Sequence, residues 1–412
     1  MIRYYELSMK ERIFKQENWV EHALTHNIER VITDEELRER IASGKQLRIK
    51  FGVDVTNPLI HLGHAVNLWK MREFQEAGHK VVFLIGDFTT RIGDPTGKNK
   101  TRLERSIEDI EKDALLYQDQ VTKILLDDPE VFEVRRNSEW YEKMSLDEFL
   151  KLCGKITHAR LIERDMFQKR IKEGSEIYMH ELLYPILQGY DSYVLESDLT
   201  IIGSDQLFNE MMGRHYQSLF DQAPQSIMAT VITPGLDGKE KQSKSLGNFV
   251  AITDAPEDKY GKIMTLPDNL IATYYRAYTF VDAKKIKEYE TQLIDGANPR
   301  DIKMKLAKDI VTLYHGQEEA EKAEQHFVRM FQKKDVSEDA EETTVVVGTT
   351  IIEFLREVGR ADSNAEARRL IDEKGVRLDG ETLTDPQFVF KSDMEGKIIN
   401  VGKRYFYKIK MK

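Results

Sequence analysis

The sequence holds one cysteine, Cys153, in 412 residues. That excludes an internal disulfide and any zinc site built on cysteines, and it is the usage of a cytoplasmic protein. No apolar run approaches the roughly 18 residues that a membrane-spanning helix requires. The opening stretch MIRYYELSMKERIFKQ is charged and has no apolar segment of the kind a secretory signal needs, so none is expected. Basic residues are also in deficit: 61 Lys and Arg stand against 71 Asp and Glu, a net charge of −10. That argues against a general affinity of the chain for nucleic acid. The deficit is uneven. From Gly348 onward 13 basic residues face 11 acidic ones, whereas the residues before carry 48 and 60. The C-terminal piece is therefore the better candidate for contact with a polyanion. There is no long repeat and no low-complexity tract.

The length asks for more than one core. LRIKFGV (47–53), KVVFLIG (80–86), LTIIG (199–203) and QSIMATVI (225–232) read as strands, and the second is almost wholly apolar, as a strand covered on both faces is. Helical patterns fit between them, at about 63–77, 106–126 and 177–195. This alternation predicts a doubly wound α/β domain around a parallel sheet, Rossmann-like, over residues 1–250. Strand signals fade after Pro256, and 251–331 reads as a helical domain. KKDVSEDAEETT is polar and aperiodic, so 332–347 is expected to be a linker. Residues 348–412 read as a small α+β module. Ser363 and Glu366 are spaced as a capping box, Gly375 is a helix stop, and Asp379-Gly380 marks a hairpin.

In a sheet of this kind ligands bind beyond the carboxyl ends of the strands, and the unusual polar stretches fall there. His61 and His64, in IHLGHAVN, sit three apart where a helix begins after Gly52-Val53-Asp54. Imidazoles beside the N-terminus of a helix suit a phosphate, and Gly63 permits close approach of a ligand to the backbone. A metal would need a third ligand that the spacing does not supply, and an isolated pair of this kind more often caps or packs a helix. GDFTTRIGDPTGKNKTR (86–102) fails as an NTPase phosphate loop, because the required first glycine falls on Ile92 and Asn99 replaces Ser or Thr. Asp94, Lys98 and Arg102 are nevertheless spaced four apart within it. In YPILQGYD, Tyr184, Gln188 and Asp191 share one face of an otherwise apolar helix. Such a stripe needs partners, from a bound polar molecule or from a structural network. Asp205 in GSDQ suits ribose hydroxyls or a helix cap. Last, PGLDGKEKQSKSLGN packs three lysines into six residues. It reads as a cationic loop able to close on a polyphosphate, or as ordinary solvated surface.

Gly52-Val53-Asp54, HLGH, GDPTGK with Arg102, YxxxQxxD, GSDQ and KQSKS occur in the order seen in the tyrosyl-tRNA synthetases of bacterial type. HLGH and KQSKS resemble the HIGH and KMSKS signatures of class I aminoacyl-tRNA synthetases. The last 65 residues resemble a small RNA-binding module found also in a ribosomal protein and in pseudouridine synthases. The resemblance implies two steps in one site, formation of tyrosyl-adenylate from L-tyrosine and ATP, then transfer of tyrosine to the 3′ end of tRNA(Tyr). It implies that His61, His64, Lys98, Arg102, Lys241 and Lys244 act on the phosphates. Asp94, Tyr184, Gln188, Asp191 and Gln206 would hold tyrosine, with Asp191 accepting from its phenol. Gly52, Asp54, Gly63, Gly203, Asp205, Ser243 and Ser245 would hold ATP and the adenylate. Mg²⁺ is expected to arrive with ATP. No tightly bound cofactor and no protein-held metal are expected, and the implied assembly is a homodimer in which residues 251–331 bind the anticodon.

Several positions depart from the family pattern. Lys50 stands where some members place a second tyrosine that reaches the phenol. Val55, Leu62, Ile202 and Gln242 replace a common Pro, Ile, Gly and Met. None of these removes a charged group from the signatures. Three rivals remain: a tryptophanyl-tRNA synthetase, which shares both signatures; a catalytically inactive, synthetase-like RNA-binding protein; and an unrelated HxGH nucleotidyltransferase, which would need neither the helical region nor the C-terminal module.

Overall fold

The computed structural model describes residues 19–55, 59–93, 106–244, 246–330, 340–402 and 405–412. The chain divides into two compact units, residues 1–319 and residues 320–412.

The first unit is organised by a six-stranded sheet. Its strands are β1 (Ile28–Ile32), β2 (Arg48–Val53), β3 (Lys80–Ile85), β4 (Phe132–Arg136), β5 (Leu199–Gly203) and β6 (Ser226–Thr230), in the order β1-β6-β5-β2-β3-β4. All neighbours are parallel except β1, which runs antiparallel to β6. The expected doubly wound sheet is present, but it is mixed at one edge. Of these strands, β2, β3, β5 and β6 carry the apolar runs that predict them, and the two edge strands do not. β1 (IERVI) and β4 (FEVRR) are each half-covered and rich in charge, so neither shows the apolar run of a central strand.

After β2 the chain builds outward to β3 and β4, then returns to lay β5 on the other side of β2. The strand order therefore reverses between β2 and β5, and a crevice opens beyond their carboxyl ends. Three helices border it: α1 (Leu62–Glu76), α2 (Met179–Val194) and α3 (Leu207–Leu219). α2 and α3 lie unusually close. A Cβ on Gly189 would come within 2.9 Å of the Met212 backbone, and one on Gly213 within 2.5 Å of Ser192 Oγ. The absence of a side chain at these two positions is what lets the helices approach. Helices Pro256–Met264, Ile271–Tyr278, Ala283–Ile294 and Pro299–His315 follow the sheet in the chain. They pack on the sheet domain through Trp69, whose Nε1 donates to Tyr314 Oη at 3.2 Å, and through ring contact of Trp69 with Phe280. No helix among the described residues is long and apolar enough to cross a membrane.

The second unit carries a five-stranded sheet. Its strands are β7 (Glu341–Val345), β8 (Val376–Leu378), β9 (Glu381–Thr382), β10 (Ile398–Val401) and β11 (Tyr405–Met411), in the order β7-β11-β10-β8-β9. Helices Ile351–Glu357 and Asn364–Asp372 lie beside it over a core that includes Phe354, Ile371, Phe390, Ile399 and Tyr407. β7 falls within the segment expected to be linker. Its side chains are mostly exposed, and it is held by parallel backbone pairing with β11, a bond that leaves no side-chain pattern to read. The hairpin at Asp379-Gly380 is present, with positive φ at both residues. Ser363 caps its helix by accepting from the Glu366 N–H, while the Glu366 carboxylate accepts from Asp362 N rather than closing the box on Ser363. The left-handed residue at that helix's end is Lys374 (φ 60°), not Gly375.

Candidate active site

A cleft of about 680 Å³ occupies the crevice between β2 and β5. Fourteen of the eighteen residues singled out from the sequence line it: Gly52, Asp54, His61, Gly63, His64, Tyr184, Gln188, Asp191, Gly203, Asp205, Gln206, Lys241, Ser243 and Lys244. The other four, Asp94, Lys98, Arg102 and Ser245, lie outside the described residues.

His61 is the N-cap of α1, with extended backbone, and His64 lies in the first turn. Their rings stack with centroids 3.7 Å apart, and the backbone N–H of His61 faces His64 Nδ1 at 3.4 Å. A Cβ on Gly63 would meet the His61 ring at 3.0 Å, so this glycine makes room for the histidine as well as for any ligand. Burial first, then the neighbouring His64, Lys244 and Lys241, hold the His61 pKa down at about 2. Burial and the same two lysines hold His64 at about 3. Both imidazoles are therefore neutral at pH 7, and each has one N–H to donate.

The lysine loop reaches this corner through backbone pairing. Leu62 N donates to Val250 O at 2.9 Å, Ile252 N donates to Ile60 O at 3.0 Å, and His61 bridges Ala251. Lys259, fully buried, donates to the carbonyls of Ala251 and Ile252 at 2.9 and 2.7 Å and holds that strand in place. Within the loop, Asn248 Oδ1 accepts from Ser243 N, and Gly235 is obligatory because a Cβ there would lie 2.4 Å from Asn248 O. Gln242, in the place of the usual methionine, is buried and donates to Tyr278 Oη at 2.6 Å. Lys241 pairs with Asp205 at 2.8 Å. Lys244 lies beside Tyr117, and burial lowers its pKa to about 8.

The opposite end of the cleft is a buried polar network. Asp191, 3% exposed, accepts from Trp140 Nε1 at 3.0 Å and from Asn137 Nδ2 at 3.4 Å. Burial raises its pKa to about 7 against the opposing charge of Lys50. Lys50 pairs with Glu210 at 2.8 Å; Glu210 accepts from Gln188, and Gln188 accepts from Asn209, which also donates to Gln206. Nothing in the sequence singles out Asn137, Trp140, Asn209 or Glu210. None belongs to a motif; Asn209 and Glu210 come in on α3, which packs against α2, and Asn137 and Trp140 on the chain just after β4.

The two cleft histidines stack face to face, an arrangement unlike convergence on a metal. Among the described residues the grouping with ligand-like spacing is His22, His26 and Glu73, whose ligand atoms lie within 4.8 Å of one another. There the Lys70 ammonium already occupies Glu73 at 2.8 Å.

Residues 42–332 match the family described as tRNA synthetases class I (W and Y). The chain belongs to the class I tRNA synthetases of this group. Residues 351–395 match the S4 domain. Curated relatives of this synthetase include the tyrosine–tRNA ligase of Thermotoga maritima, 46% identical, with 94% of this chain and 96% of the relative covered. The tyrosine–tRNA ligase of Idiomarina loihiensis is 44% identical, with 94% and 97% covered. Among solved structures, a C-terminally truncated mitochondrial tyrosyl-tRNA synthetase of Aspergillus nidulans superposes with a TM-score of 0.63 at 23% identity, covering 80% of this chain and 98% of that one. The tyrosyl-tRNA synthetase of Archaeoglobus fulgidus in complex with L-tyrosine gives 0.58 at 24%, covering 76% and 99%. At these identities the structures bear on the fold alone.

A neutral, buried His61 ties the synthetase's stability to pH. The unfolded chain takes up a proton at this residue below about 6.5, while the folded chain resists until about 2. The stability His61 contributes is thus complete above 6.5 and is lost as pH falls. Replacing it by asparagine is expected to flatten the decline in unfolding free energy between pH 7.5 and 5.5 by about 1 kcal/mol. Urea titrations at the two pH values measure this; equal declines in the two proteins would refute it.

Proposed function

We propose that this protein activates L-tyrosine with ATP to tyrosyl-adenylate and transfers the tyrosyl group to the 3′ end of tRNA(Tyr). The observation that carries this reading is one cleft with a cationic, histidine-lined end and a buried end built around Asp191. Relatives covered over nearly their whole length and named tyrosine–tRNA ligases support it.

The reaction needs no protein nucleophile. The tyrosine carboxylate attacks the α-phosphorus of ATP in line, and pyrophosphate leaves with the electron pair of the broken P–O bond. Positioning and charge stabilisation then supply the catalysis. His61 and His64, neutral and already oriented, donate hydrogen bonds to the phosphates without the cost of carrying a charge. Lys241 and Lys244 neutralise charge as it gathers on pyrophosphate. Mg²⁺ enters with ATP. Asp205 is held by Lys241 at 2.8 Å. When ATP binds, Lys241 leaves for the phosphates and Asp205 accepts from the ribose hydroxyls, so one exchange arms both groups. Tyr184, Gln188 and Gln206 hold the amino-acid head, and Asp191 accepts from the phenol. In the second step a ribose hydroxyl of the tRNA terminus attacks the adenylate carbonyl and AMP leaves. The S4 domain and the helical region after Pro256 bind the tRNA. The reading places the protein in the cytoplasm, where tRNA is charged.

The homodimer expected from the family has a candidate surface. Leu146 and Leu150, 73% and 59% exposed, share one face of helix Leu146–Cys153. An apolar surface of this kind suits a second copy meeting the same patch about a two-fold axis.

Three measurements test these points. ATP–pyrophosphate exchange across the amino acids should proceed with tyrosine; exchange with tryptophan instead would overturn the assignment. Removing 348–412 should depress aminoacylation at least about tenfold, with steep salt dependence in the intact protein, and leave exchange within about twofold. An equal loss of both would make the module structural. Sedimentation equilibrium should give twice the chain mass, and Leu146→Glu with Leu150→Glu should halve it; an unchanged mass would put the interface elsewhere.

A further inference from the structure

Lys50 is buried in the wall of the cleft on β2, 2% exposed. An ammonium has three N–H donors. Two are used, on Ser192 Oγ at 2.7 Å and Glu210 Oε2 at 2.8 Å. The side chain has no third acceptor among the described residues. A buried charged donor left without a partner is costly, and this one lines a cleft whose wall also carries Asp191. The two are electrostatic neighbours, and Ser192, which Lys50 bonds, follows Asp191 in the chain. Asp191 already bonds Trp140, Asn137 and Tyr141, and a carboxylate's two oxygens can accept about four hydrogen bonds, so it can still take one more. One buried end of the cleft therefore offers a vacant cationic donor and a carboxylate with lone pairs to spare.

That pairing matches one functional group closely. A hydroxyl donates one hydrogen bond and accepts others. We propose that Lys50 determines specificity by donating its third N–H to the phenol oxygen of the substrate while Asp191 accepts the phenol hydrogen. The proposal rests on tyrosine being the amino acid activated. It follows that Lys50, which departs from the family pattern, strengthens the reading of the hydroxyl rather than shifting that task to Asp191 alone. A phenyl ring leaves both groups unpaired, and a site built to bond a hydroxyl rejects the analogue lacking it, a rule for which tyrosine over phenylalanine in this family is the established example. The indole N–H of tryptophan only donates, so it satisfies Asp191 and leaves Lys50 unpaired. Lys50 thus separates the two amino acids served by this family of synthetases. Glu210 makes the arrangement tolerable by balancing the buried charge, and it orients Gln188, whose Nε2 it accepts at 2.8 Å.

The test uses the full-length protein and three amino acids: tyrosine, phenylalanine and 4-aminophenylalanine, whose amino group donates but accepts poorly. In wild type, kcat/KM for exchange should favour tyrosine over 4-aminophenylalanine by about tenfold or more, the worth of a charge-assisted hydrogen bond; no preference would overturn the proposal without any variant. Lys50→Met exposes Glu210 to an unbalanced burial, so it is paired with Lys50→Met/Glu210→Gln, which removes both charges. In whichever variant folds, the preference for tyrosine over 4-aminophenylalanine should collapse toward unity. The preference of 4-aminophenylalanine over phenylalanine should survive through Asp191, and KM for ATP should hold. A tyrosine/4-aminophenylalanine ratio unchanged from wild type would make Lys50 merely structural. Failure of wild type to exchange with tyrosine at all would instead refute the assignment of substrate, which keeps the two failures apart.

Discussion

Two backbone hydrogen bonds, Leu62 to Val250 and Ile60 to Ile252, join segments nearly 190 residues apart and make a single site of the histidines and the lysines. The whole histidine and lysine end of the cleft depends on this short pairing. His61 caps α1 and stacks on His64, so it cannot move toward the lysine loop without unwinding the helix start. The loop has to be brought to it, and the buried ammonium of Lys259 does this by fastening the Ala251 and Ile252 carbonyls to the helix that follows. Burial lowers that ammonium's pKa to about 7. Its two short bonds to carbonyls are what make a buried cation acceptable there.

The electrostatics of the cleft divide by end. At the histidine end positive charge is concentrated on Lys241 and Lys244 while His61 and His64 stay neutral. At the other end a lysine is matched by two buried carboxylates, Glu210 and Asp191, and the burial of Asp191 raises its pKa to about 7. Lys50 balances Glu210, and burial of Asp191 favours its neutral, protonated form, so little net charge is left at this end. The substitution of Gln242 for a methionine follows a similar economy. Its amide bonds Tyr278 and ties the loop to the helical layer by a hydrogen bond where a thioether offers only packing.

Much of this was legible in one sequence, for definite reasons. The central strands announced themselves because burial on both faces demands continuous apolar runs, and the motif residues because phosphate and hydroxyl chemistry calls for few residue types at helix starts and strand ends. The edge strands β1, β4 and β7 were not legible, because edge strands are held by backbone bonds that no side-chain pattern records. Gly189 and Gly213 looked unremarkable in sequence, yet they set how closely α2 and α3 pack.

The sequence by itself determined the class of chemistry: two signatures, their order, and the polar stripe on α2 admit few other readings. It could not say what Lys50 does. In sequence Lys50 is a departure from a pattern, a lost tyrosine. Only the tertiary structure decides that its ammonium is buried and held by Ser192 and Glu210 with one donor left over, since those partners come from helices more than 140 residues away. A side chain's identity is local, but its protonation, partners and spare hydrogen bonds belong to whatever the fold packs around it.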